Sequence, residues 1–339
     1  MKTTRYFFLT ALMLCLLAPV GPAEARDRLF SLGYGVLEVI NGENDTIEAR
    51  IPVKGWTRAY TVLPDDRRMV VAASRRYLNI VDMKNMKLLK TLDISKGKDG
   101  WERFEFGMTS AGDGKTIYAN LVGRRTVGGE VEIAKPMLAQ IDLESGEILR
   151  SIEVPRGIFQ LLLVKGGKEV YAIGQDLFKI DVSGEQMKLA DTYSMFDKGM
   201  NIFPLWHYTY ENDGYFNSPY YTMEGCGMLE INTHNGEIKE SMVKGDVPMV
   251  YSFMYSPDRS KIYGGMDELY KLDAESKTIT DQTIISEGTN FSLMVSSDGK
   301  KVYTGGGGST ISVFDAKTLK LLKVIQMETD GMTLARIDL

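Results

Sequence analysis

The chain has 339 residues, 44% of them apolar and 25% charged, with 34 glycines, 17 tyrosines, 10 prolines and 2 cysteines. The apolar share is too high for a disordered chain, and the glycines follow no three-residue period, which excludes a collagen-like fibre. A net charge of −5 with mixed signs lacks the basic stripe that a nucleic-acid surface needs.

The first element is a targeting segment. Lys2 and Arg5 form a positive start, an apolar run from Phe7 to Val20 is broken only by Thr10, and Ala23-Glu24-Ala25 follows. This predicts a secretory signal peptide over residues 1–25, cleaved after Ala25, and a periplasmic product; the run is shorter than the roughly 20 residues of a membrane span. Cys15 lies inside the run behind Leu-Met-Leu, with no small residue to make a lipoprotein cleavage box. Loss of Lys2, Arg5 and Glu24 takes the formal charge from −5 to −6, and Cys226 is left as the mature chain's one cysteine. An intrachain disulfide is then impossible, and no C-x-x-C-H haem site is present.

From Arg26 onward the chain repeats itself. A short strand ending in Asp or Asn and followed by a turn recurs as VLEVIN (to Asn41), YLNIVD (Asp82), MLAQID (Asp142), LFKID (Asp181), MLEIN (Asn232), LYKLD (Asp273) and ISVFD (Asp315). A turn of Asp, Gly, Pro and Lys running into a β-branched and aromatic strand precedes most of them: LPDDRRMVV from Leu63, SAGDGKTIY from Ser110, VKGGKEVY from Val164, SPDRSKIYGG from Ser256 and SSDGKKVYTGG from Ser296. These are hairpin signatures without helical periodicity. A unit of about 40 residues with four short strands is a propeller blade, which buries its faces only against neighbouring blades. The expected fold is therefore all-β, a single seven-bladed β-propeller over residues 26–339. The end Asp or Asn of each unit is expected to hold a turn with its own side chain and to be scaffold.

The first unit reads as three strands, Leu29–Tyr34, Val36–Asn41 and Thr46–Val53, and Thr57–Val62 opens the next. One alternating strand, Met332–Ile337, is left over at the end, so the first blade is expected to be closed by the C-terminal strand. Two repeat spacings are long. One holds a polar, glycine-bearing hairpin extension at Arg124–Val131. The other holds the most aromatic stretch of the chain, Asn201–Thr222, with Phe203, Trp206, Tyr208, Tyr210, Tyr215, Phe216, Tyr220 and Tyr221. Insertions emerge at propeller rims, where ligands and partners sit, and aromatic side chains with polar tips dominate contacts. Trp206, Tyr208, Tyr220 and Tyr221 are therefore the expected partner- or pocket-facing residues, with inter-blade packing as the competing role.

Other chemistry has little to build on. Beyond carboxylates, only His207, His234 and Cys226 could ligate a transition metal, short of a zinc or copper set. Gly305–Gly308 follows a strand but opens no helix, and so reads as a hairpin turn rather than a phosphate loop.

RDRLF at Arg26, EVPRGIFQLLL from Glu153, GQDLFKID from Gly174, SPYYT from Ser218, YSFMYSPDRSKIYGG from Tyr251 and FSLMVSSDGKKVYTGGGGSTISVFDAKTL from Phe291 together resemble the β subunit of quinohemoprotein amine dehydrogenase. The resemblance covers essentially the whole chain after the signal. It implies a periplasmic heterotrimer that oxidatively deaminates primary amines to aldehyde and ammonia. A dihaem cytochrome c α subunit and a small γ subunit carrying cysteine tryptophylquinone would be the partners, with the amine bound at a subunit interface. The propeller would carry no cofactor and no catalytic residue, dock both partners, wall the active-site pocket and be inactive alone. Two other readings stay open: a stand-alone YVTN-type binding or adhesion propeller, and the heavy chain of a tryptophan tryptophylquinone amine dehydrogenase.

Overall fold

The computed structural model describes residues 27–65, 67–97, 99–203, 214–246, 248–288, 290–330 and 333–338. Regular structure among them is β-strand, apart from one short 3-10 turn at Lys165–Gly167. The predicted signal segment, Trp206, His207, Tyr208 and Tyr210 lie outside the described residues.

The strands follow the chain in antiparallel meanders. The first sheet runs through β1 (Asp27–Leu32), β2 (Tyr34–Asn41), β3 (Thr46–Val62), β4 (Arg68–Ala73), β5 (Tyr77–Asp82) and β6 (Lys87–Asp93). The second holds β7 (Glu102–Ser110), β8 (Thr116–Val127), β10 (Met137–Asp142) and β11 (Ile148–Glu153), with the short β9 (Glu130–Ile133) paired to the end of β8. Four sheets of four strands complete the set. They are β12 (Gln160–Val164), β13 (Glu169–Ile173), β14 (Leu177–Asp181) and β15 (Lys188–Tyr193); then β16 (Asn201–Ile202), β17 (Tyr215–Thr222), β18 (Gly225–Asn232) and β19 (Ile238–Met242). After these come β20 (Ser252–Tyr255), β21 (Lys261–Gly265), β22 (Glu268–Asp273) and β23 (Ile279–Ile284), and lastly β24 (Asn290–Val295), β25 (Lys301–Gly306), β26 (Thr310–Asp315) and β27 (Leu321–Gln326).

The last strand, β28 (Thr333–Asp338), pairs antiparallel with β1, from Asp27 opposite Asp338 to Leu32 opposite Thr333. The C-terminal strand thus joins the sheet that begins the chain, where the sequence left a strand missing. The two strands expected at Thr46–Val53 and Thr57–Val62 form one continuous strand, β3, shared between two meanders. Gly55 marks the bend, with φ of +92° and a site where a Cβ would lie 2.7 Å from the Ser74 hydroxyl. The Arg124–Val131 expectation holds: β8 and β9 form a projecting hairpin turned at Gly128 and Gly129, both with positive φ as a tight hairpin turn requires.

Burial is graded across each sheet. Second and third strands are almost wholly buried, as in β4 and β5, while outer strands such as β6, β15 and β27 are largely exposed. Neighbouring sheets pack mainly through their first strands, β3 on β7, β7 on β12, and β24 on both β20 and β28, while β20 packs on β17, the second strand of its sheet. Apolar faces such as Phe30, Val70, Leu162 and Leu229 fill the spaces between sheets.

All seven repeat-ending Asp and Asn residues hold turns. The Asn41 side-chain oxygen accepts the Glu43 amide at 2.9 Å, Asp82 that of Asn85 at 2.9 Å, Asp142 that of Ser145 at 2.6 Å and Asp181 that of Ser183 at 2.9 Å. Asn232, Asp273 and Asp315 do the same for His234, Ser276 and Thr318. The Ser183 hydroxyl and amide hold the Asp181 carboxyl below its ordinary range, and the Ser145 amide and hydroxyl do the same for Asp142. Groups spent in this way are scaffold.

Candidate functional site

A half-open cavity of about 620 Å³ lies at the end of the molecule where the first strands of the sheets begin. Arg156–Phe159, just before β12, and Tyr251, just before β20, form part of its wall. Arg58 on β3, the Arg75 turn between β4 and β5, Glu105–Gly107 on β7, and Asn120 and Val122 on β8 complete one side, and Phe203 borders the other. The volume falls in the range of small-molecule sites.

Glu105 is the cavity's buried charge, 3% exposed. It sits at a register shift in the β7–β8 ladder, between Glu105 and Met108, which turns its side chain inward. Burial pushes its carboxyl up to about 7, opposed by a hydrogen bond from the Gly107 amide and by the charges of Arg75 and Arg58. One carboxylate oxygen, Oε1, is buried without a hydrogen-bond partner. Asn120, 2% exposed, donates its Nδ2 to the Ile158 carbonyl at 2.8 Å, which fixes the amide's orientation and leaves Oδ1 without a donor. Gly107 permits the close approach of β7 to the segment before β12, since a Cβ there would stand 2.8 Å from the Phe159 carbonyl oxygen. Arg75 is laid over the Phe106 ring at 4.1 Å, and its backbone carbonyl accepts the Glu105 amide at 2.8 Å.

An aromatic path leads away from the cavity. Phe203 meets Tyr221 at 5.4 Å and Tyr251 at 6.1 Å between ring centroids, and Tyr251 meets Phe291 at 5.1 Å. The Tyr221 hydroxyl accepts the Val250 amide at 2.8 Å and donates toward the Val250 carbonyl at 3.0 Å, so it anchors the segment that carries Tyr251.

The residues expected from the sequence are divided by this geometry. Tyr221 is half-buried and lies behind the cavity-lining Phe203, with the two ring centroids 5.4 Å apart. Tyr220, its neighbour on β17, points to the opposite face and is 3% exposed, with its ring over Gly227 and its hydroxyl 3.4 Å from the Met242 sulfur. In the chain by itself Tyr220 packs inside its sheet's neighbourhood, the competing role expected for it beside a partner- or pocket-facing one. Cys226 is buried beside Tyr221, and desolvation raises its thiol to about 12, far from a reactive thiolate. The sequence reading did not single out Glu105, Asn120, Arg58, Arg75 or Arg156. The signal that was available is FEF at Phe104–Phe106, a glutamate flanked by two phenylalanines.

No family model and no curated protein matches the chain. Solved structures do. The dihydro-haem d1 dehydrogenase NirN, in complex with DHE, superposes with a TM-score of 0.57 at 12% identity, over 93% of this chain and 75% of that one. Hydrazine synthase of Kuenenia stuttgartiensis gives 0.54 at 15% identity, over 87% and 90%. A functionally unknown protein from Desulfotomaculum acetoxidans gives 0.61 at 10% identity, over 92% and 98%. At these identities the likeness shows the fold alone, and it is a β-propeller fold. Among the described residues, no helix is long and apolar enough to cross a membrane.

Proposed function

We propose that the chain is the non-redox propeller subunit of a periplasmic quinohemoprotein amine dehydrogenase. In this reading the shared strand β3 divides the first sheet between two blades, which makes seven in all, and β28 closes the ring on β1. The signal segment directs export. Cysteine tryptophylquinone and haem c belong to a small quinone-bearing subunit and a dihaem cytochrome c, both docked by this chain, and the primary amine is oxidised at their interface.

The observation that carries the proposal is where the resembling segments fall. EVPRGIFQLLL supplies Arg156, Gly157, Ile158 and Phe159 to the cavity wall, YSFMYSPDRSKIYGG supplies Tyr251, and SPYYT supplies the Tyr221 that anchors it. Stretches far apart in the chain meet at one concave site, which is where a family would concentrate its shared residues if that site met substrate and partner. The wall is rich in aromatic rings, suited to the body of an arylalkylamine or to an inserted partner side chain.

The test is purification of the native protein from periplasmic extract, with mass spectrometry and haem staining of whatever accompanies it. The expected result is a haem-staining cytochrome and a small crosslinked polypeptide in fixed ratio, with amine-dependent dye reduction by the complex and none by the isolated chain. Elution as a monomer with no haem-staining companion overturns the proposal.

A further inference from the structure

Exposed apolar side chains are distributed unequally between the two ends of the molecule. Each sheet is an antiparallel meander, so alternate turns share an end, and the links that lead into β7, β12, β16, β20 and β24 lie at the cavity end. Among the described residues, the outer strands β6, β11, β15, β23 and β27 apart, the exposed large apolar side chains are Tyr34, Phe196, Met223, Met249 and those of the β8–β9 hairpin, all at the cavity end. The turns of the opposite end are built from Asp, Gly, Ser, Arg and Lys, as at residues 113–115, 258–260 and 298–300. Apolar surface gathered at one end marks a contact surface.

One sector of that end joins apolar side chains to negative charge. Met223 is fully exposed at the β17–β18 turn, and Met249 is 54% exposed. The hydroxyl of Tyr221, two residues from Met223, bonds to the Pro248 carbonyl at 3.2 Å and the Val250 amide at 2.8 Å, so the two methionines flank one anchored tyrosine. The Tyr251 amide donates to the Gly265 carbonyl at 2.8 Å, beside the 266–267 turn. The Asp267 carbonyl accepts the Ile285 amide at 3.0 Å, next to Ile284, which is 74% exposed. Glu224, Asp246, Asp267 and Glu287 stand exposed in these same turns, and Lys244 is the one cation among their described residues. An apolar centre with a charged rim is the build of a protein interface, and a rim of one sign selects a partner of the other.

We propose that the surface around Met223, Met249 and Ile284 docks a protein that presents lysine and arginine side chains around an apolar centre, the methionines meeting that centre and Glu224, Asp246 and Glu287 its basic rim. The surface adjoins the cavity through Tyr251, so its occupant also covers the cavity mouth on that side. The inference rests on the functional reading above, in which the occupant is the partner subunit that closes the site.

The test is purification of the tagged full chain from periplasmic extract as wild type and as three double variants. Glu224→Lys with Glu287→Lys reverses the rim. Glu43→Lys with Glu275→Lys makes the same change of net charge in exposed turns of the opposite end. Met223→Ser with Met249→Ser removes the apolar centre and keeps the charges. The rim variant is expected to retain about ten-fold less of the accompanying subunit, and its remaining binding to lose the wild type's sensitivity to salt. The methionine variant is expected to retain less while keeping that sensitivity, and the opposite-end variant to behave as wild type. All four chains should melt alike when isolated. Carbodiimide coupling of the wild-type complex, which joins a carboxylate to a lysine in contact with it, is expected to link Glu224, Asp246 or Glu287 to the partner. Wild-type retention by the rim variant, or equal loss in the opposite-end variant, overturns this inference and leaves the functional reading standing. A wild-type chain that elutes without companions overturns both.

Discussion

Glu105 shows how one buried group changes the response of the whole chain to pH. Its carboxyl ordinarily titrates at 4.5 and here does so at about 7, because burial disfavours the charged form more than the Gly107 amide and the nearby arginines restore it. The unfolded chain therefore loses this proton first as pH rises. Stability contributed by Glu105 is complete below 4.5 and falls as pH climbs to about 7, a loss of about 3 kcal/mol in all. Glu105→Gln removes the titration while keeping the shape. Urea unfolding of both proteins should give similar midpoints at pH 4.5, and a more stable variant at pH 8. A gap that does not widen with pH shows that water or a ligand already solvates the carboxylate.

At the scale of the element, the tyrosine that ends each [KS]-x-[VI]-Y run fastens one sheet to the next. The Tyr171 hydroxyl donates to the Gly236 carbonyl at 3.0 Å, Tyr263 to that of Ala316 at 3.0 Å, and Tyr303 to Asp45 Oδ1 at 2.7 Å. Tyr118 accepts from Arg150, which also reaches the Val182 carbonyl at 2.9 Å. Each acceptor on the far side lies in the turn between the third and fourth strands of the following sheet, so the motif is an inter-sheet latch built from a two-residue periodicity. Burial and the Asp45 charge raise the Tyr303 hydroxyl well above its ordinary range, which keeps it a donor. Tyr303→Phe should lower unfolding stability by about 1–2 kcal/mol, since Asp45 keeps its ion pair with Lys301 at 2.8 Å but loses the hydroxyl. An unchanged denaturation midpoint removes the latch from the account.

Across the whole molecule, the first and last strands depend on each other. β28 covers the edge of β1, and Leu334 and Ala335 are fully buried. Truncation after residue 332 should leave β1 as an open, apolar strand edge, the kind of surface that pairs with other chains. The expected outcome is loss of the cooperative thermal transition and aggregation in size-exclusion chromatography. A monomeric truncated chain melting like the full one would show that the pairing contributes little.

How far the sequence alone reached follows from the range of the forces involved. Turn chemistry and strand alternation are local, so VLEVIN through ISVFD announced their strands, their Asp or Asn turns and the unpaired strand at the end without any knowledge of packing. The β8–β9 hairpin was legible for the same reason, through Gly128-Gly129. The merger of two expected strands into β3 was not, because Gly55 reads equally as a break or as a bend until Ser74 is seen against it. The cavity was illegible altogether. Glu105, Asn120, Arg75 and Arg156 come from different segments, and only the stacking of one sheet on the next brings them together, buries the carboxylate and leaves two acceptors without donors. Desolvation and convergence are properties of packed neighbours, and in this protein those neighbours are fixed by tertiary structure.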